Sequence, residues 1–144
     1  MVWFMTALEF PAVALVDDVV LIRPWRSVDV PQKMVAFADP VVQRFSWSRT
    51  TPHTEADARE HFIEQDEARR RGVATHTVRL LAGWGFSALG LARIELTCGP
   101  DNLASRRVAE RCGFVREGVL RSHLVFKGAR RDSVMLSLLP GELR

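Results

Sequence analysis

Apolar and polar positions change rhythm several times along the chain, and each change predicts an element. VVLIRPW, residues 19–25, is short and β-branched and predicts a strand ended by Pro24. Ser27 to Asp39 predicts a short helix, with Asp29 as its cap ahead of Val30 and Pro31. Residues 40–52 are mixed and place Phe45 and Trp47 in a loop or short helix. In TPHTEADAREHFIE, Thr54 and Asp57 make a capping-box pattern, and Ala58, Phe62 and Ile63 share one face. A helix is therefore predicted from Glu55 toward Ala68 or Arg71.

Beyond Gly72 the period changes. Val78, Leu81, Ala82, Gly85, Phe86 and Leu89 recur at amphipathic helical offsets, with Gly90 as a stop. ARIELTC, residues 92–98, alternates strictly and predicts a strand with Ile94, Leu96 and Cys98 on one side. Gly99-Pro100 turns the chain, and Asp101 or Asn102 caps a helix from Leu103 to Arg111. Gly113 ends that helix, with Phe114 placed for a Schellman contact. Two strands follow, 115–126 and 133–139, with KGARRD between them as the hairpin turn. No internal repeat or low-complexity linker interrupts the order, so residues 1–144 form one α/β (α+β) domain with 1–18 as a leader or extension.

Composition narrows the function classes. With 47% hydrophobic and 26% charged residues among 144, the chain reads as an ordinary soluble domain. The net charge is only +3, yet 18 of the 20 basic residues are arginine. Guanidinium forks suit phosphates and carboxylates; an arginine bias from a GC-rich genome explains the count equally well. Cys98 and Cys112 lack zinc-like spacing and fall on apolar faces, which predicts reduced core residues, no metal site and a cytoplasmic protein. The apolar start lacks a basic n-region and is broken by Glu9 and Pro11, so neither a secretory signal nor a membrane span is expected.

Two stretches carry candidate chemistry. Arg69-x-x-Gly72-x-Ala74 lies directly before the strongest helix, where free N–H groups point at an anion. A solvated run of arginines is the competing reading. In PDNLASRRVAERCGF, Asn102 and Ser105 are three apart and share a face at a helix start, although Asn102 by itself reads as a simple cap.

The strings RRRGVA, GLARIELTCGPDNLASRRVAERCGF and REGVLRSHLVFKGARRDSVMLSLL together resemble the GNAT superfamily of acetyl-CoA-dependent N-acetyltransferases, in particular the ribosomal-protein N-terminal acetyltransferase branch (RimJ/RimL-like). VVLIRPWRSVDVP and TPHTEADAREHFIE resemble that branch's first strand and second helix. The resemblance implies a mixed sheet flanked by helices, and acetyl transfer from acetyl-CoA to a primary amine, either a protein N-terminus or a small amine, by direct attack on the thioester. It implies that Arg69, Arg71, Gly72, Val73 and Ala74 hold the CoA pyrophosphate, that Asn102 meets the pantetheine arm, and that Arg107 or its neighbour Arg106 meets a phosphate. With no tyrosine in the chain, Ser105 becomes the acid, and the base is His123, a residue type suited to proton transfer near neutrality, or Glu117.

One departure from the family accompanies the match. The family places three central antiparallel strands between its second helix and the phosphate turn, whereas here EQDEA runs straight into RRRGVA. A seam near 68–72 is thus expected, from an internal deletion, natural or artificial, or from a shorter sheet. The exposed edges would favour a homodimer. A CoA-binding relative without turnover is the alternative function. An arginine-rich RNA-binding module is the remote one, disfavoured by the absence of tyrosine and of an aromatic–basic motif. DNA is not an expected partner.

Overall fold

An aspartate folds the N-terminal apolar run back on itself. In the computed structural model of the chain, which describes residues 11–24, 26–45 and 71–144, the Asp17 carboxylate accepts from the amides of Val19 (2.8 Å) and Val20 (2.9 Å). This Asx turn pairs β1 (Leu15–Val16) antiparallel with β2 (Leu21–Ile22). The predicted strand over 19–25 therefore narrows to two residues, and part of the expected leader serves as its partner. The hairpin stands as its own two-stranded sheet, so the first strand does not join the main sheet as the family resemblance anticipated.

A 3-10 turn over Ser27–Asp29 leads into α1 (Val30–Ala38). Asp29 does not cap α1 with its side chain. Its carboxylate instead takes a fork from Arg23 at 2.6 and 2.7 Å and the Arg26 amide at 2.7 Å. Asp39 is the residue that caps, accepting from Val41 (2.6 Å) and Val42 (2.9 Å) at the start of α2 (Pro40–Phe45), which puts Phe45 in a short helix. Trp25, Trp47, the predicted helix from Glu55, Arg69 and most of the expected seam at 68–72 lie outside the described residues. The missing central strands are accordingly not established.

The C-terminal half follows the sequence pattern closely. α3 (Val73–Ser87) is followed by β3 (Ile94–Cys98), α4 (Leu103–Arg111), β4 (Val115–Phe126) and β5 (Ala129–Leu138). β5 is the centre of an antiparallel sheet ordered β3-β5-β4. Its central place explains why Ser133, Val134, Leu136, Ser137 and Leu138 are all buried rather than alternating. Leu136 and Leu138 pack with Ala82 of α3, Ala109 and Cys112 of α4, Cys98 and Phe114. Each fully buried leucine contributes roughly 1.5–3 kcal/mol. Both cysteines are free thiols in this core, and burial raises both thiol pKa values.

α4 ends as the sequence predicts: Gly113 has φ 100°, and the Phe114 amide reaches back to the Ala109 carbonyl at 3.1 Å in a Schellman stop. The hairpin turn differs from expectation. Only Lys127 (φ 51°) and Gly128 (φ 85°) turn, the two-residue geometry whose twist matches the flanking strands. Ala129 to Asp132, read from sequence as turn, belong to β5. β4 carries two irregularities, one between Arg116 and Gly118 and one between Leu120 and Leu124. At the second, Ser122 adopts φ 52°, held by its amide on Asp132 Oδ1 (2.7 Å) and by Arg130 Nε on its hydroxyl (2.8 Å).

Candidate active site

The two helix starts named by the sequence are chemically different. At α3, Gly72 is the N-cap residue with φ 70° and ψ 22°, and no side chain caps the helix. The amides of Thr75 (2.8 Å) and His76 (3.1 Å) close onto the Gly72 carbonyl, which leaves those of Val73 and Ala74 without an acceptor inside the helix. Ala74 and Arg71 are exposed, and a Cβ at Gly72 would meet only His76 Cδ2 at 3.7 Å. This turn is open, small-sided and rich in donors, which fits a pyrophosphate.

α4 is the opposite case. Asn102 Oδ1 accepts from the Ser105 amide at 3.1 Å, and Leu103 N bonds the Asp101 carbonyl at 3.0 Å. Asn102 is therefore a cap, as the simpler reading held. The cap uses only its oxygen, so its NH2 keeps two donors for a ligand. Ser105, half-buried, sits directly beside it, whereas Arg107 is exposed further along the helix and Arg106 pairs with Glu110 at 3.5 Å.

The two helices meet at the far end of α4, where Cys112 Sγ approaches the Thr75 carbonyl at 3.6 Å. The α3 turn and the Asn102–Ser105 pair are thus divided by the nine residues of α4, a rise of ~14 Å. Open helix-start amides thus lie at one end and an amide–hydroxyl pair at the other. The N-terminal hairpin braces the α3 turn: Asp17 Oδ2 bonds His76 Nδ1 at 2.7 Å. The Val19 and Val20 amides first, and then His76, hold the Asp17 carboxyl down at about 2. Asp17, Asp18 and His76 bring ligand atoms within 4.8 Å of one another, but both Asp17 oxygens already have partners. The trio acts as an anchor.

Glu117, the other base candidate, is tied into an ion pair with Arg93. Glu117 occupies the first β4 irregularity, between Arg116 and Gly118, and its side chain reaches Ser137, which pairs with Val115 of β4 and Glu95 of β3. Arg93 grips it with a fork at 2.9 and 2.6 Å, and Ser137 Oγ donates at 2.7 Å. Arg93 first and Ser137 second depress its carboxyl to about 2. A carboxylate that tightly held is a poor proton acceptor. His123 instead sits in the second irregularity, opposite Asp132, at the end of the sheet where β3 runs into α4. It is exposed, on a strand two places from β3, about 10 Å away laterally.

At that same end sequence reading missed Arg131. Its guanidinium lies 3.8 Å from the Phe126 ring centroid and packs against Gly99, where a Cβ would come within 3.3 Å of Nη1. The sequence offered no signal for it, because KGARRD read as a turn.

Residues 62–115 match the acetyltransferase (GNAT) domain family. Two Bacillus subtilis (strain 168) proteins are similar over about half of the chain. The N-acetyltransferase-named YjcK is 39% identical over 69 residues, 48% of this chain and 38% of its own length. The uncharacterized N-acetyltransferase YoaA is 39% identical over 70 residues, 49% of this chain and 40% of its own. The chain thus matches well under half the length of these curated relatives. A solved structure described as an acetyltransferase shares the fold at TM-score 0.73 and 23% identity, over 94% of this chain and 90% of that one. Residues 62–115 thus carry a likeness to the GNAT acetyltransferase domain.

Proposed function

We propose that the protein transfers an acetyl group from acetyl-CoA to a primary amine, either a protein N-terminus or a small amine. The uncapped start of α3 carries this reading. Val73 and Ala74 present amides with no helical acceptor beside a glycine in the left-handed region, and Arg71 adds a cation. Each charge-assisted hydrogen bond there contributes roughly 1.5–3 kcal/mol. Asn102 donates its remaining N–H groups to the amide arm of the coenzyme, and the thioester then lies beside Ser105. Bound acetyl-CoA supplies the activated acetyl group. His123 takes the proton that the acceptor amine sheds as its nitrogen bonds to the acetyl carbon, and Ser105 gives a proton to the departing sulfur. Arg107 serves as an outer phosphate contact.

A second reading, coenzyme binding without turnover, is favoured by one observation. Among the described residues no strand pairs with the outer edge of β3, so none of them supplies an oxyanion-binding amide from that side. Losing one such donor costs about 3–4 kcal/mol of barrier. Thiol release from acetyl-CoA with a panel of amines separates the two readings. Release that depends on both Ser105 and His123 supports transfer. Saturable CoA binding with no release for any amine supports the second.

A further inference from the structure

Among the described residues, Arg131 beside Gly99 is a charged side chain that its surroundings leave incompletely bonded. Its Nε is buried and has no hydrogen-bond partner among the described residues. No carboxylate among the described residues forms an ion pair with it. Asp101, the nearest by sequence to the Gly99 contact, pairs with Arg44 at 2.8 Å, and Asp132 accepts from the Ser122 amide. Around Cys98 and Gly99 the Arg131 guanidinium has Arg106, Glu110 and the Asp101 carboxylate as its charged neighbours, of which Arg106 and Glu110 pair with each other and Asp101 with Arg44. Beyond its stack on Phe126, the part-buried guanidinium has no ion pair among the described residues to offset its lost hydration, and an anion would complete it. The stack on Phe126 fixes the plane of the fork, and Gly99 leaves room for it. A fixed planar fork suits a carboxylate, which it engages with two parallel bonds.

We propose that Arg131 is the specificity-determining residue for the acceptor, selecting an amine that carries a carboxylate. The proposal rests on the acetyl-transfer reading for the identity of the ligand as an acceptor, while its test does not need turnover. Arg131 lies against Gly99 of the β3–α4 turn, whose carbonyl accepts from the Asn102 amide at 2.9 Å, and stands on the strand next to the one that bears His123. A carboxylate held there leaves the acceptor's amine free to approach the thioester.

The test is titration calorimetry on the full chain, with and without CoA. The ligands are a tripeptide amide with a free amino terminus and glutamate at its second position, the same peptide with glutamine, and free glutamate. The glutamate peptide is expected to bind roughly ten- to a hundredfold tighter than the glutamine peptide, the gain of one charge-assisted contact. R131Q removes that difference without changing affinity for the glutamine peptide. R131K keeps the charge without the fork and restores only part of it. Gly99→Ala, whose Cβ would come within 3.0 Å of Asp101 Oδ1 and 3.3 Å of Arg131 Nη1, weakens the acidic ligands more than the glutamine peptide. Free glutamate matching the acidic peptide would identify a small amino acid as the acceptor, and weaker glutamate would identify a peptide. Equal affinity for the two peptides, or a preference that survives R131Q, overturns the proposal. Arg131-dependent binding of acid without any CoA binding would overturn acetyl transfer and leave the carboxylate site standing.

Discussion

Replacing Gly113 with alanine tests the packing that joins the two helices of the site. Gly113 has φ 100°, and a Cβ there would sit 2.0 Å from the Glu142 carbonyl oxygen and 3.0 Å from its carbon. The obstruction is backbone, so it cannot rotate away. The Arg144 amide bonds the Cys112 carbonyl at 3.1 Å, and Arg79 of α3 bonds the Arg144 carbonyl, so the C-terminal tail clasps both helices. A left-handed alanine costs ~1–2 kcal/mol, and forcing the tail aside adds ~1–3 kcal/mol. Together these approach roughly 2–5 kcal/mol, a large share of the 5–15 typical of a domain. Gly72→Ala is the internal control. It carries the same kind of backbone strain at φ 70°, but its nearest neighbour is a side-chain atom at 3.7 Å. Urea unfolding of both variants is the assay. Gly113→Ala should lose at least about 1 kcal/mol more than Gly72→Ala. Equal losses would refute the close approach of the tail at Glu142.

Three further outcomes are expected. Glu117→Gln should lower stability at neutral pH while leaving the pH profile of thiol release unchanged, because Glu117 is an anchor for Arg93. Its carboxyl is depressed from 4.5 to about 2, so the stability it contributes is present above the unfolded value and is lost as pH falls through about 2. That contribution is exposed to solvent and should shrink in high salt. Asn102→Ala should cost ~1 kcal/mol as a lost cap and also weaken CoA binding, whereas Asn102→Asp keeps the cap and weakens CoA binding alone by losing the donors; CoA affinity unchanged from the parent protein in both would contradict the contact. Light scattering at rising concentration should detect a dimer, since the outer edge of β3 has no partner among the described residues; a monomer throughout would argue that the edge is covered.

The parts of the fold that sequence revealed are those with long, unambiguous periods. α3, β3 and α4 stand where the apolar spacing put them, and Gly113-Phe114 closes α4 as expected. Short-range chemistry misled elsewhere. The apolar run at 19–25 hid the Asp17 turn that splits it, and the charges of Arg130, Arg131 and Asp132 disguised a strand as a loop. Those charges are tolerated in β5 because the Ser122 irregularity and the Phe126 ring engage them. In the site, the α3 turn and the Asn102–Ser105 pair were legible because each is local. The surroundings of Glu117 and Arg131 were not, since Arg93, Phe126 and Gly99 are brought near them only by the sheet.

The central claim is that the open start of α3 holds a pyrophosphate. Calorimetric titration of the chain with CoA beside pantetheine, which lacks the pyrophosphate, tests it most directly. Tighter binding of CoA by at least roughly tenfold, the yield of one charge-assisted contact, with the difference reduced in Gly72→Ala, is the predicted result. Equal affinity for the two ligands, or no heat from CoA, would contradict it.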